Sequence, residues 1–255
     1  MKYLPVLYKD EHLVAVNKPA GLLVHRTVID RHETEFALQI VRNQSGKRVY
    51  PFHRLDKPTS GVLLFAFDPE MGREMTWLFT QGAVEKTYRA IVRGFTEQSG
   101  RVDYALKEQT DKLMQGGLDK PAQEAITAYQ RLATIELSHP VGRYATARFS
   151  LIEVVPETGR NHQIRRHMKH LFHPVLGDTT YGDGKQNDFF RNHLNCRRLL
   201  LHARTIAFTH PRSGESVRIE APLDEEFQKI LALPEWRPDV GHTDLRHSAE
   251  SSPVA

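Results

Sequence analysis

The residues with the clearest chemical potential form the string His53-Arg54-Leu55-Asp56-Lys57-Pro58-Thr59-Ser60-Gly61. Asp56 lies between two cations, and neighbouring cations favour the charged form of a carboxyl group. Pro58 fixes its own backbone angle, and Gly61 permits angles that other residues resist. An apolar run follows over residues 62–67. A charged aspartate at the mouth of a buried strand can act as a nucleophile or a base. The same residues also suit an ordinary turn, in which Asp bonds its own backbone.

Two further segments carry side chains that could serve the same site. Lys86-Thr87-Tyr88 begins a strand, where a tyrosine either joins the core or offers its ring to a flat nucleobase. Gly159-Arg160-Asn161-His162-Gln163-Ile164-Arg165-Arg166-His167 opens a basic helix, whose first N–H groups attract anions. An arginine there can hold a carboxylate through two hydrogen bonds and keep it ionised. The alternative is a helix with solvated basic residues and Ile164 in the core.

The histidines invite a metal-site interpretation that their spacing does not support. Four of them, His162, His167, His170 and His173, are close in the sequence. However, no His-Glu-x-x-His motif and no cysteine pair occur, and the neighbouring arginines would repel a cation. Glycine-rich phosphate loops are also absent, so we expect neither a metal nor a cofactor. Composition does not exclude a Ser-His-Asp triad, although the sequence has no Gly-x-Ser-x-Gly elbow.

The composition is that of a globular protein with a mild preference for polyanions. The chain has 255 residues, a net charge of +4 and a pI of about 9.1, which suits phosphate-rich partners. Residues 160–173 and 191–204 each contain four Lys or Arg and no acid, so we expect two phosphate-binding patches. No apolar run approaches the ~20 residues of a membrane span. Cys196 is the only cysteine, which indicates a reducing compartment and, with the lack of a signal peptide core, a cytoplasmic protein.

The elements that must position these residues are mostly strands. Hydrophobic periodicity predicts strands over 4–8, 12–17, 61–67, 86–92, 102–106, 125–137, 145–155, 199–209 and 216–220. It predicts helices over 34–44, 69–81, 161–172 and 225–231. Many strands at hairpin spacing and few helices indicate an α+β fold with a mainly antiparallel sheet. Residues 236–255 are polar and lack an apolar period, so we expect one domain over 1–235 and a mobile, disordered tail.

Several motifs together resemble the RluA family of RNA pseudouridine synthases. The string at 53–61 matches the family motif His-Arg-Leu-Asp-x-x-Thr-Ser-Gly at every fixed position. Residues 17–25 match Asn-Lys-Pro-x-Gly-x-x-x-His, and residues 159–167 are similar to Gly-Arg-x-His-Gln-Ile-Arg-x-His. Two later motifs also fit, Leu176-Gly177-Asp178 with Tyr181-Gly182 and Leu201-His202-Ala203, and we interpret both as scaffold around the site. The match runs from Leu4 to Leu231, and the S4 domain that many relatives carry is not expected.

The resemblance implies the pseudouridine synthase fold and the cofactor-free isomerisation of one uridine in folded RNA. It assigns catalysis to Asp56, Tyr88 and Arg165. Asp56 would act on the ribose as a nucleophile or a base, Arg165 would pair with Asp56, and Tyr88 would stack on the uracil. The remaining expected RNA contacts are Ile164 against the base, Arg54 in the gap left by the flipped nucleotide, and Arg160 and His53.

Within the family the chain is most similar to the tRNA pseudouridine-65 synthases. The features behind this similarity are His25-Arg26, Asp30-Arg31, Val141-Gly142-Arg143-Tyr144 and Arg165-Arg166. We therefore expect a tRNA substrate, no membrane, no protein partner and a monomer. The alternatives are the same reaction on ribosomal RNA or at another tRNA position, and a non-catalytic RNA-binding protein on the same fold. A metal-dependent nuclease using Asp56 would need further clustered carboxylates.

Overall fold

The computed structural model describes residues 3–26, 34–108 and 121–240 of the chain. Its strands are β1 (Val6–Lys9), β2 (Leu13–Lys18), β3 (Tyr50–Pro51), β4 (Ser60–Ala66), β5 (Glu85–Arg93), β6 (Ser99–Asp103), β7 (Ile126–Leu137), β8 (Ala147–Pro156), β9 (Leu201–Thr209), β10 (Ser216–Glu220) and β11 (Arg237–Pro238). Its helices are α1 (Ala37–Ser45), α2 (Pro69–Thr80), α3 (Gln163–His170), α4 (Gly184–His193) and α5 (Glu225–Leu231). The predicted α+β class is confirmed.

The strands form one mixed sheet whose pairing is almost entirely antiparallel. The strand order is β1-β2-β4-β9-β5-β8-β7-β11, with β3 beside β4, β6 beside β7 and β10 beside β9. Only the β4–β9 pairing is parallel among the described strands. It joins the strand after Asp56 to a strand from the last quarter of the chain. This central junction determines where the candidate site lies.

Most predicted elements are present, with shifts at their ends. Asp68 caps α2 by accepting the Met71 N–H at 2.8 Å, and Pro69 follows it in the first turn, as its sequence predicts. The helix predicted over 161–172 is shorter, because it begins only after His162. Helix α4 was not predicted, since its apolar residues Phe189 and Phe190 are adjacent and give no helical period.

Apolar side chains alternate between the two faces of the sheet. On β4, Leu63 and Phe65 pack with α1, whereas Leu64 and Val62 pack with α2 on the other face. The α3 residue Ile164 packs with residues of β5 and β8 in a neighbouring cluster. Tyr88 touches both the α1 cluster and the α3 cluster. The ring of Tyr88 therefore lies where the two clusters adjoin.

The domain extends beyond the boundary predicted at residue 235. Trp236 is buried, and its indole N–H donates to Ile230 O at 2.8 Å. Strand β11 pairs with β7, and Asp239 accepts a hydrogen bond from Arg131 at 2.9 Å. The predicted tail therefore begins too early, because a polar segment can still be held by an edge strand and one buried tryptophan. Residues 241–255 lie outside the described residues.

Candidate active site

The segment that carries Asp56 is held rigidly at the start of β4. Thr59 N–H donates to Asp56 O at 3.0 Å and closes a turn. Gly61 has φ 114°, and a Cβ there would lie 2.1 Å from Ala203 O on β9. Glycine is thus required for the two parallel strands to approach. Leu55 is buried in the core while the Asp56 side chain stays 18% exposed, so the loop leaves its carboxylate partly accessible.

Lys18 ties this loop to the Pro-Gly turn that follows β2. Its side chain is fully buried, and Nζ donates to Pro19 O, Leu22 O and Lys57 O at 3.0, 2.8 and 3.2 Å. Gly21 N–H also donates to Lys57 O at 2.8 Å. Burial and the charge of Arg198 lower the pKa of Lys18 to about 7, while Asp56 opposes that change. The charges of Lys18 and Asp56 therefore interact, and the hydrogen bonds of Lys18 fix the backbone next to Asp56.

Arg165 is placed between two carboxylates. Its Nη1 donates to Asp56 Oδ2 at 3.1 Å. Its Nε and Nη2 donate to the two oxygens of Asp178 at 2.7 and 2.9 Å. The Asp178 side chain is fully buried and also accepts the N–H groups of Thr180 and Tyr181. A guanidinium that is hydrogen-bonded along one edge to a fixed carboxylate can orient a second carboxylate with its other N–H groups.

The pKa shifts follow from this geometry. Burial alone would raise the pKa of Asp178, but the hydrogen bonds from Arg165 and the backbone leave it below its ordinary value. Burial would likewise lower the pKa of Arg165, yet its two carboxylate partners leave it raised. Each ion therefore keeps the other charged. The arrangement maintains an ionised arginine beside Asp56.

A histidine and a tyrosine complete the wall beside Asp56. His162 Nε2 lies 3.8 Å from Asp56 Oδ1, and its Nδ1 lies 2.9 Å from the Tyr181 hydroxyl. Burial lowers the pKa of His162, with Asp56 opposing the change. The Tyr181 ring lies under the Arg165 guanidinium, 5.1 Å from centroid to Cζ. His162 adopts a left-handed backbone at φ 53°, which directs the chain into α3 from the site.

The predicted base-binding residues Tyr88 and Ile164 belong to the same apolar cluster. Tyr88 packs against the apolar clusters on both sides. Burial and the negative charge of Asp56 raise the pKa of its phenol, so Tyr88 is neutral at neutral pH. Ile164 is buried in the α3 cluster with residues of β5. Tyr88 and Asp56 are thus electrostatically coupled, as expected for two residues that border one pocket.

Behind the site, a buried polar network joins β4 to β9. The Ser60 hydroxyl lies 2.7 Å from His202 Nδ1, and His202 Nε2 lies 3.2 Å from Ala221 O. Since a carbonyl can only accept, His202 carries its proton on Nε2 and accepts the Ser60 hydroxyl at Nδ1. Arg198 donates to Ser60 Oγ at 2.9 Å and pairs with Asp224. The network holds the residue that begins the strand after Asp56.

Of the predicted RNA contacts on the rim, Arg54 and Arg160 are exposed, whereas His53 is engaged by the fold. His53 Nε2 accepts the Leu64 N–H at 2.8 Å, and its ring stacks on Phe79 with centroids 5.0 Å apart. Burial lowers its pKa to about 3. His53 is partly buried and its Nε2 extends the pairing of β4 where β3 ends, and its contact with RNA stays a prediction.

The two predicted phosphate patches are smaller than the sequence indicates. Arg165 is buried in the site, and Arg198 and Arg204 form ion pairs with Asp224 and Glu220. Both acids lie shortly after the acid-free segment in the sequence, and Glu220 is on β10, the strand that pairs with β9. The described residues contain no group of three or more His, Cys, Asp or Glu placed to hold a metal ion. In the same residues, no helix is long and apolar enough to cross a membrane.

The chain is similar in sequence to known proteins. The family model of RNA pseudouridylate synthases matches residues 12–170. The chain is 50% identical to the tRNA pseudouridine synthase C of Vibrio cholerae over 92% of this chain and 97% of that protein. It is 50% identical to the protein of that name from Haemophilus influenzae over 91% and 98%. The chain belongs to the RNA pseudouridylate synthase family.

Solved structures agree with the family assignment. Human RNA Pseudouridylate Synthase Domain Containing 1 superimposes with a TM-score of 0.68 at 25% identity, covering 92% of this chain and 89% of that one. Human RNA Pseudouridylate Synthase Domain Containing 4 gives 0.66 at 26% identity, covering 89% and 91%. The chain is therefore an RluA-type pseudouridine synthase in both sequence and fold.

The sequence did not predict the roles of four residues of the site. Asp178 and Tyr181 were interpreted as scaffold, and no role was stated for Lys18 or His162. The role of Lys18 could have been predicted, because a lysine at the end of a buried strand and directly before a Pro-Gly turn has little room to extend its ammonium group into water. The pairing of Asp178 with Arg165 could not, because it depends on how the turn after α3 folds back.

Proposed function

We propose that this protein converts one uridine of tRNA into pseudouridine, with uridine 65 as the expected target. The observation that carries the proposal is the Asp56–Arg165 pair at 3.1 Å beside Tyr88, within an RluA-type fold. The relatives that match nearly the whole chain are named tRNA pseudouridine synthase C. That similarity supports tRNA, and the TruC type of position-65 synthase, over other RNA substrates.

The reaction moves one bond and needs no cofactor. The bond between N1 of uracil and C1′ of ribose breaks, uracil turns, and C5 bonds to C1′ while C5 loses a proton and N1 gains one. Asp56 acts on the ribose, either by bonding to C1′ or by taking the C2′ proton to form a glycal. Arg165 keeps the carboxylate ionised and oriented in both routes. The structure leaves both routes open.

Tyr88 and Ile164 form the base side of the pocket. The ring of Tyr88 stacks on the detached uracil and Ile164 covers part of it. The Tyr88 phenol is neutral. Its oxygen can therefore take up the proton from C5 only while its own hydroxyl proton passes to another acceptor, and N1 of the uracil is the atom that gains a proton in the reaction. Arg54 fills the gap left by the flipped nucleotide, and the energy of pocket contacts offsets the few kcal/mol that flipping costs. Arg160 binds the flanking phosphate.

The protein is proposed to act as a cytoplasmic monomer. Size-exclusion chromatography with light scattering, with and without tRNA, tests the monomer. A dimer that alone releases product would contradict it.

The function is tested by tritium release from tRNA labelled at C5 of uridine. Asp56→Asn should abolish release while tRNA binding stays near wild type, because the amide keeps the shape of the side chain and loses the nucleophile or base. Turnover by this variant would refute the role of Asp56. No release by the wild-type protein would favour a non-catalytic RNA-binding protein.

The position is tested by mapping pseudouridines in total RNA from a strain that lacks the gene. Loss at position 65 of tRNA supports the proposal. Loss in ribosomal RNA or at another tRNA position would keep the reaction and replace the substrate.

A further inference from the structure

Phe172 is an exposed aromatic residue in a backbone conformation that favours glycine. Its φ is 61°, in the left-handed region that bulky residues seldom adopt. Phe172 N–H donates to Lys169 O, and His173 N–H donates to Met168 O. This is the helix C-terminal pattern in which glycine ordinarily occupies the position of Phe172. The residue is also 84% exposed. Strain and exposure both act against stability, so packing does not explain a phenylalanine here.

The surroundings of Phe172 are basic and aromatic. Lys169 is exposed, with its Nζ 5.9 Å from the centroid of the Tyr181 ring. His170 stacks on the half-exposed ring of Tyr104 with centroids 3.9 Å apart. Residues 160–177 contain no Asp or Glu. A surface of this kind attracts phosphates and offers flat rings to bases, which is the combination that single-stranded nucleic acid requires.

The position of Phe172 relative to the site supports an RNA contact. Helix α3 carries Arg165, which meets Asp56, and it ends in the turn that holds Phe172. Phe172 lies seven positions after Arg165, which at the rise of a helix corresponds to about 10 Å along the axis. Nucleotides flanking a uridine bound at Asp56 can span that distance. The same RNA can therefore occupy the pocket and reach the ring.

We propose that Phe172 is a stacking platform for an unpaired base of the RNA substrate, with Lys169 on the adjoining phosphate. The proposal rests on the proposed function and adds a specificity contact outside the catalytic pocket. Proteins recognise unpaired RNA bases by stacking them on aromatic side chains. The backbone strain at Phe172 is then the cost of presenting a ring where the fold alone would use glycine.

The test separates stability from binding by three substitutions. Phe172→Ala should raise the KM for 5-tritiated tRNA about fivefold or more without changing kcat, because stacking on one base is lost. Phe172→Gly should raise KM equally but increase Tm by about 2 °C, since glycine relieves the left-handed strain. Phe172→Trp should keep the wild-type KM. Trp77→Ala is the control, as Trp77 is an exposed aromatic on α2, and its KM should not change.

Two results would overturn the proposal. Wild-type KM in both Phe172→Ala and Phe172→Gly would show that no base stacks there, while tritium release would leave the proposed function intact. A lower Tm for Phe172→Gly would show that the ring packs in the fold. If the wild-type protein releases no tritium, the proposed function fails, and filter binding of tRNA to wild type and Phe172→Ala still decides whether Phe172 binds RNA.

Discussion

At the scale of single residues, the site depends on how Arg165 is held. Two of its N–H groups donate to Asp178, whose side chain has no exposed surface, and a third donates to Asp56. The guanidinium therefore cannot turn to follow the Asp56 side chain. The carboxylate of Asp56 must instead take the orientation that Arg165 offers. Asp178 acts on the reaction only through this orientation, because it cannot touch RNA from its buried position.

Asp178→Asn should lower kcat by about 10- to 100-fold, because small misplacements of a catalytic group cost that much. The KM for tRNA should stay near wild type. Steady-state tritium release measures both, and thermal unfolding confirms that the variant folds. Asp188→Asn, the same change at an exposed aspartate of α4, is the matched control. Loss of binding with unchanged kcat would contradict a positioning role for Asp178.

The sequence identified the charged residues of the site but not their second partners. The pairing of Asp56 and Arg165 was expected from the motifs. The structure shows this hydrogen bond between two residues that lie 109 positions apart in the chain. Asp178 was interpreted as scaffold, because a motif match alone does not identify Arg165 as the partner of its carboxylate. His53 was assigned to RNA because of its motif position, yet its ring nitrogen accepts a backbone N–H of β4. Motifs locate residues, whereas hydrogen-bond partners depend on the folded chain.

At the scale of elements, the junction of β4 and β9 holds the Asp56 loop. Gly61 allows the strands to approach, and the Ser60–His202–Ala221 chain joins them by hydrogen bonds. Burial lowers the pKa of His202 to about 3, assisted by nearby arginines. A proton on Nδ1 would break the bond from Ser60 and add a cation beside Arg198.

The stability of this junction should depend on pH. The pKa of His202 lies below its unfolded value of about 6.5, so the unfolded state binds more protons between pH 6.5 and 3. The contribution of His202 is thus complete above pH 6.5 and is lost as the pH falls toward 3. Wild type should lose stability more steeply than His202→Gln, by up to about 1.4 kcal/mol per pH unit. Urea unfolding at several pH values measures this, and parallel curves would contradict it.

Element types were more predictable than element partners. Strand β4 and helix α2 follow from an apolar run and from an Asp-Pro start, both local signals. Helix α4 has a capping residue, Asp183, but lacks apolar periodicity, so its existence depends on the core that receives Phe189 and Phe190. The parallel pairing of β4 with β9 has no local signal, because its register depends on Gly61 meeting Ala203.

At the scale of the whole molecule, linear charge counting overestimated the RNA-binding surface. Arg198 and Arg204 lie in a sequence segment without acids, yet each pairs with an acid of a later segment. Folding brings opposite charges together because burying an unpaired cation is costly. The basic surface that remains accessible includes Arg54, Arg160 and Lys169, near the pocket.

The sheet edge is closed by residues beyond the predicted boundary. A chain that ends at Glu235 loses Trp236, strand β11 and the Arg131–Asp239 ion pair. We expect it to unfold several degrees below a chain ending at Val240, because removal of a buried tryptophan typically costs about 3 kcal/mol. Differential scanning calorimetry compares the two truncations. Equal Tm values would restore the boundary at 235.

The parallel β4–β9 pairing also constrains when the enzyme becomes active. Ser60 and His202 are 142 positions apart in the chain, so the Asp56 loop gains its final support only after most of the protein has been synthesised. Ribosomes add roughly 5–20 residues per second, and contacts at long sequence separation form late. We therefore expect the catalytic pocket to be completed together with the fold, and a nascent chain released before β9 to be inactive.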